Sequence, residues 1–393
     1  MKVCIVFGTR PEIIKVAPII SELKKRGIDF SVVNAGQHYD FLLMQKVLDD
    51  LNLLKIDYTL NIGSGTHAQQ KASALILLEN VITSNDFDIV LAEGDTNTVL
   101  ATALAAIKQG VPFGHIEAGL RSFDRTMPEE INRVLTDHSS EVLFAPTEIS
   151  ALNLKNENID PEKIFVVGNT IVDSFKRINK KNSTEILDKL KIEKENYAVL
   201  TMHRPENVDK KENLEKIVNL LENIKYKIVF PIHPRTKDKF IKFEMWERLQ
   251  KKANLIITEP LGYVDFISLL KNARIILTDS GGIQEEACIL KIPCLTLRYN
   301  TERPETIMVE GNVLVGLDVE KITKYVNKIF ENKNFRESIK PKKNPFGDGN
   351  AAKKIVDILV DLHKKGCLQI KPSNFIEKNP YESEIYKKVM KGI

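Results

Sequence analysis

The sequence predicts an α/β protein of two doubly wound, Rossmann-like domains that face each other across a cleft. Three observations predict it. At 393 residues the chain is too long for one comfortable hydrophobic core, so two domains are expected. Short runs that are apolar on both faces alternate with helix-period segments almost throughout, the pattern of parallel sheets covered on each side. Nearly every polar motif begins directly after the last apolar residue of such a run, and parallel α/β sheets bind ligands at the carboxyl ends of their strands.

In chain order, the first strands read VCIVF (3–7), FSVVNA (30–35), DIVLA (88–92), FGHIEA (113–118), VLFAP (142–146) and IFVVG (164–168). A second series reads YAVLTM (197–202), KIVFPI (227–232), LIIT (255–258), RIILTD (274–279) and PCLTLR (293–298). Segments such as EIIKVAPIISELKKRG and ENLEKIVNLLENIK, with apolar residues three and four apart, supply the helices between them. The hydrophilic stretch 176–196 separates the two series. It divides the chain into an N-terminal domain (1–175), a linker (176–196), a C-terminal domain (197–349) and a helical C-terminal segment (350–393).

Bulk properties exclude several function classes. The chain is 43% hydrophobic and 28% charged with net charge +4 and interleaved signs. It lacks the basic stripe with aromatics that nucleic-acid binding needs, so no nucleic-acid partner is expected. No apolar run is long enough to cross a bilayer, and the first strand follows Met1 and Lys2 at once, with no signal peptide. The four cysteines have no CxxC spacing and read as reduced thiols. A cytoplasmic protein without a membrane partner is the expectation. Arginine is scarce, 13 against 44 lysines, yet eight of the arginines sit in or just after polar turns, where a planar fork suits phosphate or carboxylate.

The turn TDSGGIQEE (278–286) carries the strongest chemistry. Ser280 is placed to cap a helix whose first residues are Gly281 and Gly282. Glycine in a helix costs about 1 kcal/mol relative to alanine. Two together therefore point to a bulky anion approaching free amides at the positive helix end. Glu286, about a turn and a half further on, suits vicinal hydroxyls such as those of a ribose; Glu285 points about 100° away and is not expected to share that task. The first strand exits into GTRPE, not GxGxxG, and no GxxxxGK[ST] occurs, so a tightly held NAD is not expected. Arg10 and Lys15 read as diphosphate clamps, with a solvated helix face the competing account of Lys15. Glu93 and Asp95, two apart, are able to project to one side. With Glu117, Glu129 and Glu130 they gather carboxylates whose mutual repulsion would raise at least one proton affinity, as a general base requires. His203 and His233 end strands, but no spacing makes a metal set, so no metal is expected.

Taken together, GTRPEIIK, GQH, EGDT, HIEAGLRS, PEEINR, HRPEN, HPR, TDSGGIQEEA, TERPE and NPFGDG resemble, in order and spacing, the non-hydrolysing UDP-N-acetylglucosamine 2-epimerases. The resemblance runs from residue 3 to about 360. It implies the two-domain fold of the GT-B glycosyltransferases, a C-terminal helix crossing back to the first domain from about residue 350, a homodimer and no cofactor. The implied reaction removes UDP from UDP-N-acetylglucosamine by anti elimination to 2-acetamidoglucal. UDP then adds back to give UDP-N-acetylmannosamine for cell-surface polysaccharide or glycan synthesis. By motif, Asp95, Glu117, Glu129 and His203 are the catalytic candidates. Arg10, Ser280, Gly281 and Gly282 would hold the diphosphate, with Lys15 and Arg303 near the sugar or phosphate, Glu286 on the ribose and Phe266 stacked on uracil. Gln37, His38, Arg204 and His233 match a second, regulatory substrate site. The chain continues GQH as YD, where members with that site commonly have R followed by E or Q. A nucleotide-sugar glycosyltransferase, a hydrolysing 2-epimerase and a non-catalytic nucleotide-sugar sensor are the competing readings.

Overall fold

Two sheets, parallel at every strand pairing, organise the chain in this computed structural model, which describes residues 1–36, 48, 56–63, 65–178 and 185–370. The first sheet contains β1 (Lys2–Phe7), β2 (Asp29–Asn34), β3 (Tyr58–Thr59), β4 (Ile89–Glu93), β5 (Phe113–Ile116), β6 (Val142–Ala145) and β7 (Ile164–Val166). Its order is β3-β2-β1-β4-β5-β6-β7. The second contains β8 (Tyr197–Thr201), β9 (Lys227–Pro231), β10 (Leu255–Thr258), β11 (Ile275–Thr278), β12 (Cys294–Thr296) and β13 (Asn312–Leu314), in the order β10-β9-β8-β11-β12-β13. Both sheets are doubly wound, as the alternation of runs predicts. The central strands β4, β8 and β11 are buried along their whole length, which is why they read as unbroken apolar runs.

Strand order fixes where a ligand belongs. Winding reverses between β1 and β4 in the first sheet and between β8 and β11 in the second. GTRPE and EGDT leave the first pair; HRPEN and DSGG leave the second. A doubly wound sheet opens its crevice at this reversal, so both domains present their polar turns to the same gap. The 11 runs recognised in the sequence all became strands. The two strands that were missed, β3 and β13, are edge strands of two and three residues, too short to show periodicity.

The two halves are joined by more than the segment 176–196. That segment starts within the helix Thr170–Ile178 and includes the helix Glu185–Leu190, whose Ile186 and Leu187 are buried in the core that also holds Tyr197 and Leu270. The C-terminal helix Ala351–Lys364 does cross back. The amides of Ala351 and Ala352 donate to Asp173 at 3.2 and 3.1 Å, while Arg26 Nη1 donates to Asp357 at 2.6 Å. Its buried Ile355, Val356 and Leu359 pack in the core with the helix Arg10–Lys25. Among the described residues no helix is long and apolar enough to cross a membrane.

Candidate active site

A cavity of about 1760 Å³ lies between the carboxyl ends of the two sheets. Fourteen of the sixteen site residues proposed from sequence line it: Asp95, Glu117, Glu129, His203, Arg10, Lys15, Phe266, Ser280, Gly281, Gly282, Glu286, Arg303, Arg204 and His233. Gln37 and His38 lie outside the described residues. The convergence follows from topology, since each of these residues sits on or near a polar turn at the same end of its sheet.

The DSGG turn behaves as a helix start, with one change from expectation. Ser280 is the N-cap of the helix Gly281–Leu290 in extended conformation, and its hydroxyl makes no capping bond. A Cβ on Gly282 would meet nothing within 4 Å, so this glycine opens onto the cavity. Gly281 is a glycine for another reason: a Cβ there would collide with Glu302 Oε1. Asp279 is not a ligand group either. Its carboxylate accepts the amides of His203 and Arg204 and the side chain of Asn207 at 3.0–3.1 Å. Burial penalises its charge, but His203 and these donors win and hold it below the usual carboxylate range. It locks the HRPEN turn to the DSGG turn.

At the end of β1, Glu12 Oε2 accepts the amides of Gly8 and Thr9 at 2.5 and 3.0 Å. The Gly8 and Thr9 amides are thereby occupied, while Arg10 Nη1 reaches across the cleft to the Leu261 carbonyl at 3.3 Å. Lys15 is not on a solvated face. It is buried, with Nζ 3.0 Å from Glu93 Oε1, 3.4 Å from Glu285 Oε2 and in contact with Glu117. Burial lowers its proton affinity, but the three carboxylates more than reverse this and hold it charged.

Glu117 occupies the centre of the site. It adopts φ 71°, the left-handed region uncommon for a side-chain-bearing residue and a known locus of functional strain. Arg303, from the opposite domain, donates to Glu117 through Nη2 and to Glu285 through Nε. Asn169 Nδ2 donates to the same two carboxylates, at 3.3 and 3.0 Å. Burial alone would raise the Glu117 pKa, but Lys15 and Arg303 outweigh it and bring it to about 2. Burial pushes Glu93 well up, opposed by Lys15 and reinforced by Glu117. Burial also raises Glu285, against the pull of Arg303 and Lys15.

The other carboxylates form the opposite rim. Asp95 accepts from Arg133 Nη1 at 2.6 Å. Arg204 links Glu129 and Glu302, 3.5 Å from each, while Arg298 Nη1 lies 2.9 Å from Glu302. His203 Nδ1 is 3.2 Å from Asp279 Oδ1, and its ring lies 5.6 Å from that of His233. Beneath EGDT, the buried His115 connects Asp137 at 2.6 Å with the Gly94 carbonyl at 2.8 Å and so steadies the turn bearing Asp95. No cluster of three or more metal-ligating side chains occurs among the described residues.

Sequence reasoning missed Glu285, Glu302, Arg298 and Asn169 as members of the site. Glu285 was the most accessible of these, because a carboxylate on an otherwise apolar helix, GGIQEEACIL, must be paired if it faces the core. Asn169 lies just after β7, in a short turn that carries no charged group to draw attention to it.

The sequence profile of the family described as UDP-N-acetylglucosamine 2-epimerase matches residues 21–360. The chain is 49% identical over 367 residues to a UDP-N-acetylglucosamine 2-epimerase of Methanocaldococcus jannaschii, covering 91% of this chain and 99% of the relative. It is 50% identical over 366 residues to one of Methanococcus maripaludis, covering 91% and 98%. The crystal structure of the M. jannaschii UDP-GlcNAc 2-epimerase in complex with UDP-GlcNAc and UDP superposes with a TM-score of 0.85 at 48% identity, over 92% of this chain and all of that one.

Proposed function

The chain belongs to the UDP-N-acetylglucosamine 2-epimerase family, and on that premise we propose that it interconverts UDP-N-acetylglucosamine and UDP-N-acetylmannosamine by elimination and re-addition of UDP. One observation carries the reading: in a single cavity the amino end of the helix Gly281–Leu290 and the Arg303 guanidinium stand beside Glu117. An anion site and a carboxylate acting on the same sugar are what an elimination needs.

The chemistry follows from the substrate. A C2–H next to an acetamido group is not acidic enough for simple removal and return. Departure of the diphosphate from C1 makes loss of that proton feasible, giving 2-acetamidoglucal, and re-addition with a proton on the other face of C2 inverts it. We assign the diphosphate to the amides of Gly281 and Gly282, the Ser280 hydroxyl, Arg10 and Arg303. Phe266 stacks on uracil and Glu286 takes the ribose hydroxyls. Proton transfer at C2 falls to Asp95 and Glu117, with Glu129 and His203 at the diphosphate and sugar. The glycal and UDP must stay together between the two steps, which the contacts across the cleft from Arg10, Lys15 and Glu117 favour.

We also infer a homodimer. Leu75 and Ile76 on the helix His67–Thr83, and Ile131 and Leu135 on the helix Pro128–His138, are exposed. Asn97, between these helices, ties both together through Gln70 at 2.8 Å and Asn132 at 3.3 Å. Sedimentation at monomer mass would contradict the inference.

The functional test is incubation with UDP-GlcNAc in D₂O, followed by proton NMR. The expected result is deuterium at C2 of both sugars and UDP-ManNAc as product. Free N-acetylmannosamine would indicate the hydrolysing reaction. An unexchanged C2 would leave a transferase or a sensor.

A further inference from the structure

A ring of alternating charge closes across the cleft. Lys15 meets Glu117, Glu117 meets Arg303, Arg303 meets Glu285, and Glu285 Oε2 returns to Lys15 at 3.4 Å. Lys15 and Glu117 belong to the first domain; Arg303 and Glu285 belong to the second. Two of the four links therefore cross the cleft, and Asn169 ties the two carboxylates together from a third direction. All five side chains are buried.

Glu285 differs from its partners in one respect. Lys15, Glu117 and Arg303 line the cavity, whereas Glu285 does not and is fully buried behind them. Its carboxylate meets Lys15 and Arg303, which would touch substrate, and accepts from Asn169, which does not line the cavity. We propose that Glu285 is a positioning residue that fixes Arg303 between the diphosphate and Glu117, so that departure of UDP and proton transfer at C2 are electrically coupled.

The three ends of the Arg303 guanidinium have different surroundings. Nε is held by Glu285 and Nη2 by Glu117. Nη1 makes no hydrogen bond among the described residues and lies 4.0 Å from Glu302 Oε1. The guanidinium carbon is 3.7 Å from where a Cβ of Gly281 would stand, at the amino end of the helix assigned to the diphosphate. As the C1–O bond breaks, negative charge gathers on the phosphate oxygen facing Arg303. Charge drawn toward the phosphate is lost to Glu117, whose proton affinity rises as the C2 proton must be taken. Without Glu285, Arg303 would be free to swing wholly onto the diphosphate or wholly onto Glu117.

The charges near Glu117 are Lys15, Arg303, Glu93 and Glu285; those near Glu285 are Lys15, Arg303, Glu117 and Glu286, with Tyr263 and Cys288 alongside. Glu93, Glu117 and Glu285 share two cations, and Glu93, whose one cation is Lys15, has its proton affinity raised by burial and by Glu117. In the substrate complex, where the diphosphate draws on Arg303 and the proton affinity of Glu117 rises, Glu117 must be ionised for turnover and so sets the acid limb of kcat; neutralising Glu285 leaves one excess positive charge beside it, and it then ionises at lower pH.

This inference rests on the proposed epimerisation, and its test separates the two. Wild type and Glu285→Gln are compared for UDP affinity, for kcat and KM with UDP-GlcNAc, and for the pH profile of kcat. Expected in the variant are UDP affinity within about threefold, KM nearly unchanged, kcat reduced about 30-fold or more, and an acid limb moved to lower pH. A kcat within threefold of wild type, or a reduced kcat with an unmoved acid limb, overturns the proposal. If Glu285→Gln no longer binds UDP, Glu285→Asp takes its place: the charge is kept but the reach shortened, so kcat should fall with the limb in place, and a full rate or a moved limb overturns it. A wild-type protein that leaves UDP-GlcNAc unchanged would overturn the epimerisation reading and this inference with it.

Discussion

Burial pushes the Glu286 carboxyl up to about 8, against the neighbouring Tyr263 hydroxyl and with help from Glu285. Glu12, likewise buried, is raised to about 7 despite accepting the Gly8 amide. The unfolded chain releases these protons near pH 4.3. Folded protein therefore holds protons that the unfolded chain has lost, and the stability they contribute is full below that pH and disappears as pH rises through 7 to 8. Wild-type protein should melt at progressively lower temperature from pH 6 to pH 9. Glu286→Gln, which cannot ionise, should lose about 2 °C less over the same range; parallel slopes would contradict the assignment. The sequence made Glu286 legible because a carboxylate set past a glycine-rich turn has a recognisable use. It hid Glu285, one residue earlier, because the role of that side chain depends on partners 270 and 168 positions away in the chain, Lys15 and Glu117, and no spacing rule reaches that far.

Among the elements, the helix Gly281–Leu290 shows that adjacent glycines serve separate needs. Gly281 makes room for Glu302, which Arg298, Arg303 and Arg204 hold in place and keep below the usual carboxylate range despite its burial. Gly282 leaves room for a ligand. Gly281→Ala should lower the melting temperature, because Glu302 must move among three arginines. Gly282→Ala should leave stability unchanged or raise it by about 0.5–1 kcal/mol while weakening UDP about tenfold or more. Thermal melts and UDP titrations of the two variants check this, and equal effects of the two on UDP affinity would contradict it. Other parts of the elements were readable to the extent that they were long. The apolar runs of β1, β4, β8 and β11 are buried on both faces and announced themselves, whereas β3 and β13 borrow their conformation from the strands they pair with. Asp279 stands at the head of the anion turn in the sequence, but its carboxylate is engaged by the HRPEN backbone and the Asn207 side chain, a contact between two distant turns that only the sheet register creates.

At the scale of the whole molecule, the two reversals of strand order place the polar turns GTRPE, EGDT, HRPEN and DSGG around one gap, and among the described residues eight side-chain contacts span it. Asn300 donates to Asp124 at 2.8 Å, Arg298 to Met127 at 3.4 Å, and Thr147 to Glu305, in addition to those already described for Arg10, Lys15, Glu117, Asn169 and Arg204. The two sheets, their parallel type and the end at which the cavity opens were all legible, because they follow from length and from the position of polar residues after apolar runs. The degree of closure, and with it the pairing of Glu117 with Arg303, was not legible, because it is a property of two domains meeting. In the proposed reaction the C1–O bond breaks and re-forms inside this gap while the diphosphate is held. UDP-GlcNAc carrying ¹⁸O in the oxygen that bridges C1 to the phosphate tests this most directly. Rotation of held UDP between cleavage and return should spread the label into the non-bridging oxygens of that phosphate during turnover. Epimerised product that keeps all of its label in the bridge would contradict the account.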